Sequence, residues 1–163
     1  MLTLQMVDKK THEFFMGEAL KQAKLAFRAG EVPIGAVLVY QNKIISSAYN
    51  LSINNHDPSA HAEIETIRKA GQYIKNYRLP NCSLYVTLEP CVMCLGAIFH
   101  ARISHLIFGA YDLKTGACES VINLKNNKDL NHHCNIHGGI LDKESKILLQ
   151  GFFKNKRQKK TVK

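Results

Sequence analysis

The segment Ser83–Leu–Tyr–Val–Thr–Leu–Glu–Pro–Cys–Val–Met–Cys94 decides how this 163-residue chain is interpreted. Its first six residues form a short, mostly apolar run with β-branched and aromatic members, which predicts a buried strand. Glu89 and Pro90 follow at once, and proline is favoured in the first turn of a helix. We therefore expect a helix from Cys91 to about Ala101. A buried strand that leads directly into a helix is typical of an α/β fold.

The sequence on either side of this segment continues the pattern. Toward the N-terminus, apolar residues at helical spacing predict a helix that ends at Gly30, and two short apolar runs predict a hairpin. The pattern indicates a single domain over residues 1–163, built as an α/β sandwich with helices on both faces of a sheet. Residues 110 to 140 give no clear pattern. The remaining predicted elements are helices over about 11–29, 57–70 and 142–157, with Asp57 or Ser59 as cap of the second and Gly71 as its end, and strands over 34–40, 44–49 and 103–108.

The charge is concentrated at one end of the chain. The net charge is +9, and residues 154 to 163 carry six positive charges and no negative one (Lys154, Lys156, Arg157, Lys159, Lys160 and Lys163). The rest of the chain holds 16 positive against 13 negative residues, a net charge of +3. Such a basic segment, within a C-terminal helix and tail over about 142–163, is compatible with a phosphate backbone as partner or with a solvated terminus.

Membrane and secretion signals are missing from the sequence. The longest apolar run, Cys91 to Phe99, is far shorter than the ~18 residues that a membrane span needs. Met1 to Lys10 lacks the apolar core of a secretory signal. The five cysteines are an odd number, which argues against a disulfide framework. We therefore expect a soluble cytoplasmic protein without membrane contact.

Cys91 and Cys94 are the first candidates for chemistry. Residues three apart lie on one face of a helix, so a single ion can contact both thiolates, and the positive end of the helix favours that anionic form. The pair alone has other interpretations: half of a structural zinc site, a redox pair, or two core cysteines.

His61 and Glu63 narrow these alternatives. His61 alone is more often a structural residue, but with two thiolates it completes three ligands and leaves a fourth tetrahedral position open, the pattern of catalytic zinc. Bound zinc lowers the pKa of water to about 7. Glu63 can then accept and donate the protons of a hydrolysis that releases ammonia, although it could instead only favour the helix dipole.

The combination of His-x-Glu with Pro-Cys-x-x-Cys resembles the zinc-dependent nucleobase deaminases. Over about residues 15–157 the chain further resembles the bacterial tRNA-specific adenosine deaminases. The matching stretches are Glu31–Val–Pro–Ile–Gly–Ala–Val37, His56–Asp–Pro–Ser–Ala–His–Ala–Glu–Ile64, Asn76–Tyr–Arg–Leu79, Leu84–Tyr–Val–Thr–Leu–Glu–Pro–Cys–Val–Met–Cys94, and Phe108–Gly–Ala110 with Asp112 and Lys114.

The resemblance implies a three-layer α/β/α fold of the cytidine deaminase-like type with a mixed central sheet, a homodimer, and one zinc per subunit. It implies hydrolysis of adenosine to inosine at the wobble position of an arginine tRNA, bound through its anticodon stem-loop. Carried over by position, the ligands are His61, Cys91 and Cys94. Glu63 moves protons from the activated water to the purine ring, and ammonia leaves C6.

The resemblance also assigns RNA-contacting residues. Asn50 hydrogen-bonds the flipped base, Asp112 lies near the RNA backbone, and Lys156 and Arg157 contact the RNA from the basic terminal helix. One position departs from the family, because Glu119 stands where a glycine is expected before Ser120. That change adds bulk and negative charge to a loop that approaches RNA.

Two other functions remain open at this point. The same metal pattern serves deaminases of a free base or nucleoside such as cytosine, cytidine or guanine, which have less need of the basic cluster. Alternatively, a nucleic-acid-binding module could hold a structural zinc, with Cys82 as a fourth ligand.

Overall fold

The structure is a computed structural model that describes residues 8–161, with side chains through residue 159. Met1 to Val7, on which part of the secretion-signal argument rests, and the charges of Lys160 and Lys163 lie outside the described residues. The helices are α1 (Lys9–Arg28), α2 (Ala62–Ile74), α3 (Val92–His100) and α4 (Asp142–Thr161). The strands are β1 (Gly35–Tyr40), β2 (Lys43–Tyr49), β3 (Ser83–Leu88), β4 (His105–Ala110) and β5 (Asn135–His137).

The strands form one mixed sheet in the order β2-β1-β3-β4-β5. β1 pairs antiparallel with both β2 and β3, whereas β3, β4 and β5 run parallel to one another. This arrangement brings the carboxyl ends of β2, β3 and β4 to the same edge of the sheet. The register shows it directly, since Tyr49 pairs with Gly35 of β1 and Leu88 pairs with Ala110.

Alternate residues of the strands supply two separate cores. One face of the sheet packs against α2 and α3, through strand residues such as Leu38, Leu84 and Leu106. Their neighbours Val37, Val39, Tyr85 and Ile107 point the other way and pack against α1. The predicted α/β/α sandwich with a mixed sheet is thus confirmed. Because helices cover both faces of the sheet in this fold, its central strands are buried and do not alternate between apolar and polar residues.

Gly35 lets α1 lie directly on the sheet. A Cβ atom at this position would overlap the backbone of Ala19 and Ala23 in α1, so only glycine permits the close approach. The backbone amide of Gly35 donates a hydrogen bond to the Thr87 hydroxyl (3.2 Å), which ties β1 to β3 near the edge where the strands end.

The start and end of α2 differ from the prediction. Asp57 caps no helix: its carboxylate accepts hydrogen bonds from the amide and the hydroxyl of Ser59 (2.8 and 2.7 Å) and closes a local turn. The helix begins at Ala62, with His61 as its N-cap residue. Gly71 lies inside α2, which ends only where Lys75 adopts a left-handed conformation and donates its amide to the Gly71 carbonyl.

Smaller differences from the prediction concern the ends of the other helices and strands. Pro90 precedes the N-cap residue Cys91 and is outside α3. The hairpin turn has two residues, Gln41 and Asn42, both with positive φ, rather than three. β4 begins and ends two residues later than predicted, and α4 continues to Thr161. The unassigned region contains β5 at the sheet edge. In the described part of the chain, no helix combines the length and the apolar character that a bilayer crossing requires.

Candidate metal centre and active site

The candidate residues meet at the edge where β2, β3 and β4 end. Asn50 follows β2, and Cys91 follows β3 after two residues. α2 begins at the same edge, because the loop after Asn50 returns there through a hydrogen bond from the Leu51 amide to the Ala60 carbonyl (2.9 Å). Ligand sites of open α/β sheets usually lie at this position, beyond the carboxyl ends of the strands.

His61, Cys91 and Cys94 form the only group of three metal-binding side chains found within the described part of the chain. Nδ1 of His61 lies 3.4 Å from Sγ of Cys94 and 3.8 Å from Sγ of Cys91. A tetrahedral zinc with typical Zn–N and Zn–S bonds separates such nitrogen and sulfur atoms by roughly 3.6 Å. The donor types and their spacing therefore fit a zinc ion, with a fourth position not supplied by this group.

Both helices that carry the ligands direct their N-terminal ends at the cluster. His61 and Cys91 are the N-cap residues of α2 and α3, and neither side chain caps its own helix. The cap of α2 is instead Asn50, whose side-chain oxygen accepts a hydrogen bond from the Ala62 amide (2.8 Å). Because Asn50 satisfies the helix end, the imidazole of His61 is available to the thiols.

The thiols already differ in acidity. A hydrogen bond from Cys94 and a further one from His61 lower the pKa of Cys91 to about 4, against the opposing effect of burial. The same contact with the Cys91 thiolate, together with burial, raises the pKa of Cys94. The hydrogen bond with Cys91 also raises the pKa of His61. One thiolate is thus present at neutral pH, as a metal ligand requires.

Glu63 lies beside the cluster with a carboxylate oxygen left over. Its side chain is 4% exposed, and Oε2 has no hydrogen-bond partner within residues 8–159. Burial raises the pKa of Glu63 to about 7. Spacing i, i+2 along a helix would separate His61 from Glu63, but His61 precedes the helix and its backbone is extended, so both side chains reach the same place.

Sequence reasoning missed Glu89, the residue between β3 and Pro90. Its carboxylate is buried (2% exposed) and accepts hydrogen bonds from the segment 112–120. Burial acts to raise the pKa of Glu89, but the hydrogen bonds from Ser120 and from backbone amides outweigh it and lower the pKa. The only signal in the sequence was an acidic residue placed between an apolar strand and a proline.

Glu31 is a second buried carboxylate that holds a loop, and it was also missed as a structural residue. It is 1% exposed, and its carboxylate accepts the amides of Ile53 and Asn54 (3.2 and 2.7 Å) and the side-chain amide of Asn54 (2.9 Å). These bonds hold the loop between β2 and α2, which connects Asn50 to His61.

Asp112 and Glu119 lie in the segment that Glu89 holds. The Asp112 carboxylate accepts hydrogen bonds from the Lys114 amide and from the amide and hydroxyl of Thr115, so it shapes a turn. Glu119 forms an ion pair with Lys125 (2.6 Å). The negative charge at the position where glycine was expected is therefore accompanied by a positive one.

The basic end of α4 is positioned by aromatic packing. Phe152 is buried and contacts Phe27 of α1 edge-to-face, and the ammonium of Lys156 lies over the Phe152 ring, 5.3 Å from its centre. Lys156 also borders a surface cleft with Gly30, one residue before Glu31. Arg157 follows Lys156 on the same helix. Lys156 thus lies near Gly30, and neither of the two predicted RNA-contacting residues belongs to the metal cluster.

Cys82 is too far along β3 to be a fourth ligand. It immediately precedes the amino end of this strand, whereas Cys91 follows the carboxyl end, and six strand residues span roughly 20 Å. Cys82 is fully buried in the core, and burial raises the pKa of its thiol to about 11. The geometry therefore contradicts the four-ligand structural site.

Comparisons with known proteins all match deaminases. Residues 10–157 match the model of the MafB19-like deaminase family. A tRNA-specific adenosine deaminase of Buchnera aphidicola (subsp. Baizongia pistaciae) is 48% identical over 149 residues, 90% of either chain. That of Haemophilus influenzae is 46% identical over 157 residues, 96% of this chain and 91% of the relative. A solved structure from work on A-to-I editing by tRNA:A34 deaminases at the wobble position is 43% identical, with a TM-score of 0.81 over 83% of this chain and 99% of that one.

Removing any one of the three clustered ligands should release the metal. We expect one zinc per chain in the purified protein, and less than about a tenth of that in His61→Ala, Cys91→Ala or Cys94→Ala, because two ligands cannot hold zinc tightly. Elemental analysis after gel filtration measures the content. Cys82→Ala is the matched control and should keep its zinc; loss of zinc from that variant would contradict the assignment of ligands.

Proposed function

Since the chain belongs to the family of tRNA-specific adenosine deaminases, we propose that it hydrolyses adenosine to inosine at the wobble position of an arginine tRNA. Its whole length would act as a single deaminase domain. The observation that carries this proposal is the buried Glu63 carboxylate beside His61, Cys91 and Cys94, with one oxygen unpartnered. A purely structural metal site has no use for such a group.

The three ligands fit zinc by their chemistry and spacing, and members of the deaminase family generally depend on zinc. His61, Cys91 and Cys94 would hold one ion in each subunit. When bound, zinc would supply Lewis-acid activation, which makes hydroxide available near neutral pH.

Glu63 is the group that would move protons. Its free Oε2 can accept the proton of the attacking water and pass it to the purine ring as water adds at C6. A second transfer to the departing amine lets ammonia leave, so that adenosine and water become inosine and ammonia. A carboxyl group whose pKa is raised to about 7 by burial can exchange protons in both directions at neutral pH.

Asn50 would bind the base that is turned out of the RNA. Its side-chain oxygen is already bonded to the Ala62 amide, which fixes the orientation of the group. Nδ2 forms no hydrogen bond with the described residues, so it remains available as a donor to an acceptor atom of the base. Asn50 would thus link the helix start that carries His61 to substrate recognition.

The RNA backbone would lie across two regions beside this pocket. Asp112 would contribute by folding the turn that presents Lys114, since its carboxylate already accepts three hydrogen bonds. Lys156 and Arg157 would contact phosphates from the basic end of α4. The anticodon stem-loop is the substrate class that this arrangement fits, with a free base or nucleoside (cytosine, cytidine or guanine) as the alternative.

Two further features follow from the same proposal. We infer a homodimer, because Val92 and Met93 expose apolar surface in the first turn of α3, next to the ligands. We also infer a cytoplasmic location, since all five cysteines are free thiols and the proposed tRNA substrate occurs there.

The substrate and the role of Glu63 are tested together. Wild-type protein should form inosine in a synthetic arginine-tRNA anticodon stem-loop with a wobble adenosine, and barely act on free adenosine, cytidine, cytosine or guanine. Glu63→Gln should lower the rate by roughly 10²–10⁴-fold or more, because it cannot accept the proton, yet keep its zinc. Chromatography of the digested RNA measures inosine. Turnover of a small substrate in place of the stem-loop would exclude the RNA assignment.

We expect the basic end of α4 to contribute only to the binding of RNA. Truncation after Phe153 leaves the Phe27–Phe152 packing in place and removes six positive charges. We expect KM for the stem-loop to rise and its dependence on salt to become shallower, because fewer phosphates are neutralised. Initial rates at several potassium chloride concentrations measure both. An unchanged salt dependence would remove the tail from the RNA interface.

The oligomeric state is measured most directly by sedimentation equilibrium of the zinc-loaded protein. The expected mass is twice the 18.4 kDa of one chain. Val92→Glu should shift the protein toward the monomer, because it places a charge in an apolar interface, whereas Ile147→Glu on exposed α4 should not. A wild-type mass of one chain would refute the dimer.

A further inference from the structure

The Glu89 carboxylate connects two parts of the molecule, the end of β3 that leads to Cys91 and the segment 112–120. It lies two residues before Cys91, and its hydrogen-bond donors all belong to the segment 112–120. We propose that Glu89 is a positioning residue that holds this segment in the conformation that binds substrate RNA. The inference rests on the proposed function, which it extends to a residue without contact to the reacting atoms.

The Glu89 carboxylate accepts five hydrogen bonds, and the residue is 2% exposed. Oε1 accepts the backbone amides of Cys118 (3.1 Å), Glu119 (2.8 Å) and Ser120 (3.0 Å). Oε2 accepts the amide of Asp112 (3.0 Å) and the hydroxyl of Ser120. A buried charge is tolerated only when it is satisfied in this way, so the segment and the carboxylate stabilise one another.

The surrounding backbone packs closely around the Glu89 carboxylate. The Glu89 amide donates to the Ala110 carbonyl (2.8 Å), and the Ala117 amide donates to the Pro90 carbonyl (2.9 Å). A Cβ atom on Gly116 would overlap the Glu89 carboxylate and the Asp112 carbonyl, so the segment passes directly over the side chain. The strand end that leads to the ligands and the segment are therefore one packed unit.

What the segment presents to solvent points to substrate binding. Leu113 is 82% exposed and Lys114 lies beside it, on the turn closed by Asp112. An exposed apolar side chain can contact a base, and a neighbouring cation can contact a phosphate, so the two together suit a nucleotide. Contacts of this kind act in the ground state and the transition state alike, so losing their position should raise KM rather than lower kcat.

The test uses the zinc-loaded full chain with Glu89→Gln and Ser120→Ala. Glutamine keeps one acceptor oxygen but faces the remaining donors with an amide group, and Ser120→Ala removes one donor. We expect amide hydrogen exchange at residues 112 and 118–120 to be roughly tenfold faster in Glu89→Gln, with a smaller change in Ser120→Ala. KM for the stem-loop should rise roughly tenfold in Glu89→Gln, with kcat within about twofold of wild type.

Val39→Ala is the control for a general loss of stability. Val39 is buried on the α1 face of the sheet, away from the segment. This variant should unfold at lower temperature, yet keep wild-type KM and wild-type exchange at residues 112 and 118–120. A fall in kcat of Glu89→Gln at unchanged KM, in proportion to the folded fraction, would overturn the positioning role.

The amide hydrogen exchange measurement also tests this inference independently of the proposed function. If wild-type protein forms no inosine in the stem-loop, the proposed function fails, and the exchange data alone decide about Glu89. Unchanged exchange in Glu89→Gln then refutes the inference, and faster exchange confined to the segment supports it.

Discussion

The convergence of two helix starts at one edge of the sheet is the constraint on which the site depends. α2 and α3 both begin where β2 and β3 end, and their N-cap residues are the metal-binding candidates His61 and Cys91. An N-cap side chain normally bonds its own helix. Here Asn50 takes over that task for α2, so His61 can turn toward the thiols. The helix ends add a positive potential that favours thiolates over thiols.

Local patterns predicted most of the fold. β3 was predicted with its observed bounds because a strand covered on both faces shows a mostly apolar run, and Glu89–Pro90 marks its end. The start of α2 was wrong because its cap is Asn50, twelve residues upstream, which no local pattern reveals. Residues 110–140 gave no pattern because their backbone is held by side chains such as Glu89 and by short turns, rather than by periodic packing.

Local patterns likewise predicted one part of the candidate site and missed another. His61, Glu63, Cys91 and Cys94 were predicted because their spacing lies within single segments, and the structure brings the four side chains together. Glu31 and Glu89 were missed because each receives backbone amides from more than twenty residues away, and amides leave no trace in the sequence. The sequence shows that Glu119 adds a negative charge to this loop, and only the structure reveals its ion-pair partner Lys125.

The separation of the two cores by strand parity has a consequence for how this protein can change. Val37, Val39, Tyr85 and Ile107 pack with α1 on the far side of the sheet, and none of them is among the candidate site residues. Substitutions that improve packing there should raise thermal tolerance without the usual loss of activity. Stability gained on that side could compensate for destabilising substitutions around the pocket, so the protein could tolerate more mutations there.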